Sequence, residues 1–165
     1  MHYIYEISIK IEGGSSLQDI AKLFQTYKND VYRLAYSYLG NIQEAEDVCQ
    51  TVFLKLLQHS HLQPGKEKSW LLKVTANECK MVLRSFRWKR TSPLEEANHT
   101  EPPQADHVLP SVMMLEPKYR TVVYLHYYEG YSTKEIGHIL KISQSAVTTR
   151  LSRARQMLKN YITEE

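Results

Sequence analysis

The chain has 165 residues, 42% of them hydrophobic and 24% charged, which is the composition of an ordinary globular protein with one large domain or two small ones. A net charge of +3 is too small to indicate a nucleic-acid partner, so any such role depends on where the cations lie. Two cysteines 30 positions apart, with no Cys-x-x-Cys pair, exclude a disulfide framework. The sequence has neither a signal-peptide pattern nor a run of about 18 apolar residues. We therefore expect a cytoplasmic protein without a membrane span.

Residues 1–16 form a segment of their own. Tyrosines and isoleucines occupy alternate positions, and the segment ends in two glycines and two serines, a pattern typical of a strand followed by a flexible break. No second strand follows to pair with it. We expect an edge strand, a disordered extension or an artefact of the start site, and we assign it no function.

Three helices are predicted between residues 17 and 90. Apolar residues recur at helical spacing up to Gly40, which provides a stop. Asn41 then caps a second helix that has acidic residues in its first turn. A third helix begins after the turn signal at Pro64 and Gly65. Together these helices predict a small helical domain.

A change of composition separates this domain from the rest of the chain. Residues 91–108 contain three prolines and four acids without an apolar period, which predicts a flexible linker. A second helical block, without a repeat of the first, begins at residue 109. The predicted fold is therefore all-α, with two small helical domains at 17–90 and 109–165 joined by a tether.

The second block contains a helix-turn-helix pattern. Ser132 and Glu135 form a capping box that opens a short helix, and Ser143 caps a longer one after a tight turn. In the short helix the inward positions are Ile136, Ile139 and Leu140. In the longer helix Val147, Leu151, Ala154 and Leu158 form a single apolar stripe.

The outer face of the longer helix has the chemistry of duplex recognition. Short donors near the helix start can reach base edges in the major groove, and cations can neutralise the phosphates on either side. The donors are Gln144, Ser145, Thr148 and Thr149, and the cations are Arg150, Arg153 and Arg155. Exposed arginines are more often merely solvated, so this interpretation depends on the rest of the chain.

The stretch from Leu115 to Lys159 resembles region 4 of the sigma-70 family, in the short extracytoplasmic-function (ECF) class. The resemblance is carried by Leu115, Arg120, Val123, Gly130, Ser132, Glu135, Ile136, Ser143, Val147, Arg150, Leu151, Arg153, Ala154 and Arg155. It implies binding of the helix-turn-helix to the minus-35 promoter element. The chain departs from the family pattern at Pro117, which is shifted by one position, at Gly137, where alanine is usual, and at Lys141, which replaces a turn glycine. A residue other than glycine at positive φ costs roughly 1 kcal/mol, so we expect a slightly altered turn.

The first domain resembles sigma region 2. In its second helix the match comprises Ala45, Glu46, Asp47, Gln50 and Phe53. A mixed polar and apolar stripe at helical spacing suits a docking helix, and it contains Asp47, Gln50, Thr51 and Leu54. The resemblance implies that this stripe and Phe53 bind core RNA polymerase. Thr51 and Val52 stand where the family has Glu and Thr, which predicts a weaker or altered contact.

The third helix also resembles region 2, through Trp70, Leu71, Lys73, Val74 and Asn77. Its outward donors and one aromatic suit single-stranded DNA, where phosphate neutralisation and base stacking replace the recognition of duplex edges. These residues are Lys73, Asn77, Lys80, Arg84, Arg87, Trp88, Lys89 and Arg90. The resemblance implies melting of the minus-10 element, with a flipped base held by the loop 61–66 and by Asn77. Without the resemblance, a solvated basic helix end is the better interpretation.

Taken together, the resemblances imply an alternative sigma factor that binds core RNA polymerase and promoter DNA, is held inactive by an anti-sigma factor, and needs no cofactor, metal or catalytic group of its own. Three alternatives remain open. A stand-alone helix-turn-helix regulator would not need the first domain, and a degenerate sigma-like protein would bind polymerase or a partner without initiating. A small helical metalloenzyme would use Cys49, Cys79, His59 and His61.

Overall fold

A computed structural model of the chain describes residues 17–59, 62–89 and 110–163. These residues contain seven α-helices and one π-helix, without a strand. The segment 1–16 and the predicted linker 91–108 lie outside the described residues. No helix in the described ranges combines the length and apolar character that a membrane span requires.

The amino-terminal half is a three-helix unit of α1 (Leu17–Leu39), α2 (Ile42–Gln58) and α3 (Glu67–Lys89). Helix α1 ends at Gly40, whose φ of 66° lies in the left-handed region that glycine tolerates. Asn41 caps α2, since its Oδ1 accepts a hydrogen bond of 3.0 Å from the backbone N–H of Glu44. The three helices of this unit thus lie between Leu17 and Lys89.

These helices pack through their apolar faces. On α2 the inner residues Ala45, Val48, Val52 and Leu56 are buried, and Cys49 is half-buried. Each fully buried aliphatic side chain of this kind contributes about 1.5–3 kcal/mol through the loss of apolar surface to water. The remaining faces of α2 and α3 carry the polar residues of interest, which are exposed or half-buried.

The carboxyl-terminal half contains α4 (Pro110–Met113), α5 (Pro117–Val123), a π-helix (Tyr124–Tyr128), α6 (Thr133–Leu140) and α7 (Gln144–Thr163). The Ser132 capping box opens α6 as predicted, and Ser143 caps α7 by accepting a 3.1 Å hydrogen bond from the N–H of Ala146. Burial of Val147, Leu151 and Ala154 confirms the predicted apolar stripe of α7.

The turn between α6 and α7 explains two departures from the family pattern. Lys141 adopts φ 54° and ψ 49°, so a lysine stands at the left-handed position that usually takes glycine. The N–H of Ile142 donates to the carbonyl of Gly137 at 3.0 Å, which closes a Schellman-type helix end. A Cβ on Gly137 would lie 2.9 Å from the carbonyl oxygen of Ile142. The glycine is therefore needed in the helix rather than in the turn.

The two halves pack against each other, with α1 against α5 and α3 against α6. The sequence predicts two domains on a tether and gives no signal for this contact. The buried apolar residues of both halves form one continuous core. We call the contact between the halves the seam.

Candidate nucleic-acid and polymerase interfaces

The exposed face of α7 carries the side chains that the sequence predicts to contact duplex DNA. Residues Gln144, Ser145, Thr148, Thr149, Arg153 and Arg155 are exposed, and Arg150 is half-buried. The Nε2 of Gln144 donates to the Thr133 hydroxyl at 2.9 Å, and the Thr148 hydroxyl donates to the Gln144 carbonyl at 3.1 Å. These exposed bonds orient the donors, and base edges can replace them because both partners also reach water.

The surface of α2 presents a second polar stripe. Asp47 and Gln50 are exposed, Leu54 keeps 43% of its surface in contact with solvent, and Thr51 is half-buried with its hydroxyl donating to the Asp47 carbonyl at 2.9 Å. We call these four residues the docking stripe. Phe53 does not belong to it: only 7% exposed, it packs edge-to-face on Phe24 with ring centroids 4.8 Å apart. The aromatic ring at this position therefore faces the core, and the contact between Phe53 and polymerase stays a prediction.

One face of α3 carries the donors assigned to single-stranded DNA. Lys73, Asn77, Lys80 and Arg84 share that face, since their spacing of four, three and four follows the helical period. Arg84 is exposed and the other three are half-buried. The side chains of Arg87, Trp88 and Lys89, and the whole of Arg90, lie outside the described residues. We call the four described residues of this face, Lys73, Asn77, Lys80 and Arg84, the cationic ridge.

A metal site is not found in the described ranges, where no group of three His, Cys, Asp or Glu residues could hold an ion. Burial, followed by the nearby charge of Glu46, raises the pKa of the Cys49 thiol to about 11. The pKa of Cys79 is raised further, chiefly by burial. The His59 ring stacks on Trp70 with centroids 4.9 Å apart. His61 lies outside the described residues.

Each half of the chain matches a known protein family. Residues 23–89 match the family described as Sigma-70 region 2, and residues 111–158 match Sigma-70, region 4. The ECF RNA polymerase sigma factor SigM of Bacillus subtilis is 32% identical over 151 residues, which cover 85% of this chain and 93% of SigM. The chain belongs to the ECF class of the sigma-70 family.

Two further relatives of the chain are also ECF RNA polymerase sigma factors. ECF RNA polymerase sigma factor SigW of Bacillus subtilis is 29% identical over 167 residues, covering 86% of this chain and 88% of SigW. ECF RNA polymerase sigma factor SigE of Mycolicibacterium smegmatis is 32% identical over 155 residues, covering 86% of this chain but 60% of SigE. The chain therefore spans 60% of the length of SigE.

Solved structures show the same fold. RpoE from Bartonella quintana, crystallised with the anti-sigma factor NepR, superposes with a TM-score of 0.73 at 22% identity, covering 89% of this chain and 98% of RpoE. CnrH in complex with the cytosolic domain of CnrY gives a TM-score of 0.63 at 19% identity, covering 92% of each chain. The all-α prediction with two helical domains is thereby confirmed.

Across the seam, beside the shared apolar core, two cations donate to carbonyl groups. Arg120 of α5 is 6% exposed, and its guanidinium donates to the carbonyls of Ser37 and Tyr38 in the last turn of α1. In the other direction, the Lys80 ammonium of α3 donates to the carbonyl of Leu140, the last residue of α6. Each half therefore supplies a cation to the carboxyl end of a helix in the other half, where orphan carbonyls and the helix dipole favour positive charge.

Charges strengthen one end of the seam and oppose the other. The Lys68 ammonium lies 3.2 Å from Asp30 and 3.1 Å from Glu129 of the other half. Burial alone would lower the pKa of Lys68, but the hydrogen bond and charge of Glu129 and the charge of Asp30 raise it. Among the residues that the structure describes around Lys80, no acid has this role: burial first, then the nearby Arg150 and other cations, lower the pKa of the Lys80 ammonium. Lys80, which the sequence predicts to bind DNA, therefore already donates to the Leu140 carbonyl and lies close to other cations.

Several residues of the interface escape sequence reasoning. Arg120 is visible only as a member of the family pattern, and nothing in the spacing of Lys68 or Glu129 indicates that they meet. The π-helix has no sequence signature either. In the structure Arg120 lies in a short helix that is buried on nearly every side.

Proposed function

We propose that this chain is an alternative sigma factor that binds core RNA polymerase and directs it to promoters. The observation that carries the proposal is that both sigma regions occur in one chain, in order, and each match contains one of the exposed surfaces described above. We assign polymerase docking and minus-10 melting to residues 17–90, a linker role to 91–108 and minus-35 binding to 109–165. The segment 1–16 keeps no assigned role.

The docking stripe is the part of α2 that contacts polymerase in this proposal. Asp47, Gln50 and Thr51 offer hydrogen-bonding groups, and Leu54 adds an exposed apolar side chain, so the stripe combines the two elements of a protein interface. Val52 is fully buried, so its difference from the family pattern does not alter the exposed stripe. Thr51 is therefore the departure that bears on affinity.

The cationic ridge of α3 handles the melted minus-10 strand. Lys73, Lys80 and Arg84 would neutralise phosphates, and Asn77 would hydrogen-bond a base flipped out toward the loop that precedes α3. Trp88 is the aromatic expected to stack on a base, with Arg87 and Lys89 on either side of it in sequence. Lys80 must leave the Leu140 carbonyl before it takes up this role.

Helix α7 binds the minus-35 duplex. Gln144, Ser145, Thr148 and Thr149 would contact base edges, while Arg150, Arg153 and Arg155 would contact phosphates. The covalent connection to the first domain makes the second binding event intramolecular, so two weak surfaces can act on two separated promoter elements. We therefore expect the free chain to bind promoter DNA poorly at physiological salt.

Partners and location follow from the same proposal. RpoE of Bartonella quintana was crystallised with an anti-sigma factor, and we extend to this chain an anti-sigma partner that would hold it away from polymerase. The polymerase supplies the chemistry of RNA synthesis, so the chain itself needs no catalytic group. Its place of action is then the cytoplasm.

The test is run-off transcription with core RNA polymerase on a library of randomised promoters. The variant Asp47→Ala with Gln50→Ala removes the docking stripe, and Gln43→Ala with Gln58→Ala makes the matched change at exposed positions of the same helix. We expect wild type and the control to initiate and the docking variant to lose most transcripts. No transcript with wild type would support a stand-alone regulator or a degenerate sigma-like protein instead. Full activity of the docking variant would remove the role of α2.

A second comparison separates the two DNA surfaces. Thr149→Ala with Arg153→Ala alters the exposed face of α7, and Gln156→Ala is an exposed control on the same helix. We expect the first variant to lose transcripts that depend on the minus-35 element while keeping its affinity for core polymerase. Equal loss of polymerase affinity would indicate misfolding rather than loss of DNA contact.

A further inference from the structure

Tyr127 is an aromatic side chain that the core does not use. It is 55% exposed, whereas its neighbours Tyr124 and Leu125 are buried. It lies in the π-helix Tyr124–Tyr128, where the N–H of Glu129 donates to the carbonyl of Tyr124 five residues back. Such π-helical turns are rare and occur frequently at functional sites. The position of Tyr127 therefore calls for an explanation other than packing.

The contact that Tyr127 makes is with an arginine of the DNA-binding helix. The Nε of Arg155 donates to the Tyr127 hydroxyl at 2.7 Å, and the guanidinium carbon lies 5.9 Å from the ring centroid. The tyrosine ring is itself held edge-to-face by His126, at a centroid distance of 4.9 Å. Because the guanidinium is planar, a bond at Nε fixes the plane in which the two terminal nitrogens lie. Those terminal nitrogens are the pair that can bind a phosphate bidentately.

Arg155 is well placed on α7 for a phosphate contact. It follows Thr148 by seven residues, two turns along the same face, and lies about 16 Å from the start of the helix at 1.5 Å per residue. The major groove is about 12 Å wide, so a helix whose first residues reach base edges carries a side chain at this distance toward the flanking backbone. The guanidinium is also exposed and on an element free of acids, since residues 144–160 contain none.

We propose that Tyr127 is a positioning residue for DNA binding. It holds the Arg155 guanidinium in the orientation in which the guanidinium binds one phosphate beside the minus-35 element. The proposal rests on the proposed function for its biological setting. The contact itself is sequence-independent, because phosphates carry no base identity. Tyr127 acts through Arg155, so its effect on binding exists only while Arg155 is present.

The test measures binding of the full chain to a short duplex of mixed sequence, by fluorescence anisotropy over a range of KCl concentrations. Non-specific duplex binding depends on phosphates alone, so the assay needs neither polymerase nor a known promoter. We expect Arg155→Ala to weaken binding about tenfold and to lower the slope of log affinity against log salt by about 1. Tyr127→Phe keeps the ring and removes the hydroxyl, and we expect a loss of about threefold with the same melting temperature as wild type.

The double variant decides the matter. In an Arg155→Ala background, Tyr127→Phe should cause no further loss of affinity. An equal loss in both backgrounds would mean that Tyr127 contacts DNA by itself or supports the fold, and would overturn the proposal. So would wild-type affinity for Tyr127→Phe. Transcription by the wild-type chain is scored separately, so failure of the sigma-factor function and failure of this contact give different results.

Discussion

Gly137 is the position where the structure predicts an outcome opposite to helix propensity. In an exposed helix interior, alanine in place of glycine stabilises by about 1 kcal/mol. Here the new Cβ would lie 2.9 Å from the backbone oxygen of Ile142, whereas ordinary contacts begin near 3.4 Å. The turn must therefore move by about 0.5 Å, and overpacking of a tight site costs about 1–3 kcal/mol. We expect Gly137→Ala to lower the free energy of unfolding by about 1 kcal/mol net.

The assay is thermal and urea unfolding followed by circular dichroism. A loss of about 1 kcal/mol corresponds to a fall in Tm of about 2–4 °C for a chain of this size. His138→Ala, at the next position and exposed, is the matched control, because it changes propensity without a new contact and should stay within about 0.5 kcal/mol of wild type. A rise in Tm for Gly137→Ala would refute the reasoning, because it would mean that the turn has room for a side chain.

The turn lysine provides an independent check on the same geometry. Lys141→Gly relieves the left-handed strain of about 1 kcal/mol, part of which is lost to the greater freedom of glycine in the unfolded chain. We expect a small gain in stability. A more adaptable turn also accommodates the Cβ, so the double variant Gly137→Ala with Lys141→Gly should be more stable than the sum of the single changes predicts. Strict additivity would mean that the two residues do not share one strained turn.

Three further predictions follow from the seam and the thiols. Arg120→Met should reduce the free energy of unfolding by about 3 kcal/mol in urea, because it removes a buried cation and leaves its carbonyl partners without a donor. Arg33→Met, at an exposed arginine, should change the free energy of unfolding little. Similar losses for both variants would contradict the buried role of Arg120. Lys68→Met should increase the radius of gyration in small-angle scattering, because it breaks the ion pair to Glu129 that joins the halves, whereas Lys22→Met should not; an unchanged radius would show that this ion pair does not hold the seam. The raised pKa of Cys49, about 11, predicts slower alkylation by iodoacetamide at pH 8.5 in the native chain than in urea. As pH rises, the thiol ionises at a lower pH in the unfolded chain than in the folded chain. The stability that the protonated thiol contributes is therefore present below the unfolded pKa of about 8.5 and is lost as pH rises toward 11. Equal alkylation rates in the native chain and in urea would argue against burial of this thiol.

Local structure was predictable because local chemistry determines it. The end of α1 follows from Gly40 and the start of α2 from Asn41. The helix-turn-helix follows from the Ser132 capping box and the apolar stripe of α7. The polar face of α7 was predictable for the same reason, since burial of one stripe exposes the other. The burial of Phe53 was not predictable in this way, because periodicity does not say how wide the buried face of a helix is.

The seam was not predictable, because long-range contacts between side chains and carbonyls leave no periodic trace. Every residue has a carbonyl, so no pattern marks Ser37, Tyr38 or Leu140 as acceptors. Lys68 and Glu129 are 61 positions apart, and each looks like an ordinary surface charge. The composition of residues 91–108 predicts only that the halves are free to separate, which says nothing about whether they prefer to do so.

The exchange of helix-capping cations across the seam has a consequence for promoter affinity. On the proposed function, α3 and α7 bind different promoter elements, so the Lys80 contact with Leu140 must be absent in the bound state. Charge-assisted hydrogen bonds contribute about 1.5 kcal/mol or more each, so the contacts of Arg120 and Lys80 alone correspond to about 3 kcal/mol. Together with the shared apolar core they keep the open population at about 1% or below. The apparent dissociation constant of the free chain is then at least about a hundredfold weaker than that of the open form. Any partner that prefers the open arrangement, as core polymerase would, removes that factor and raises promoter affinity without touching DNA.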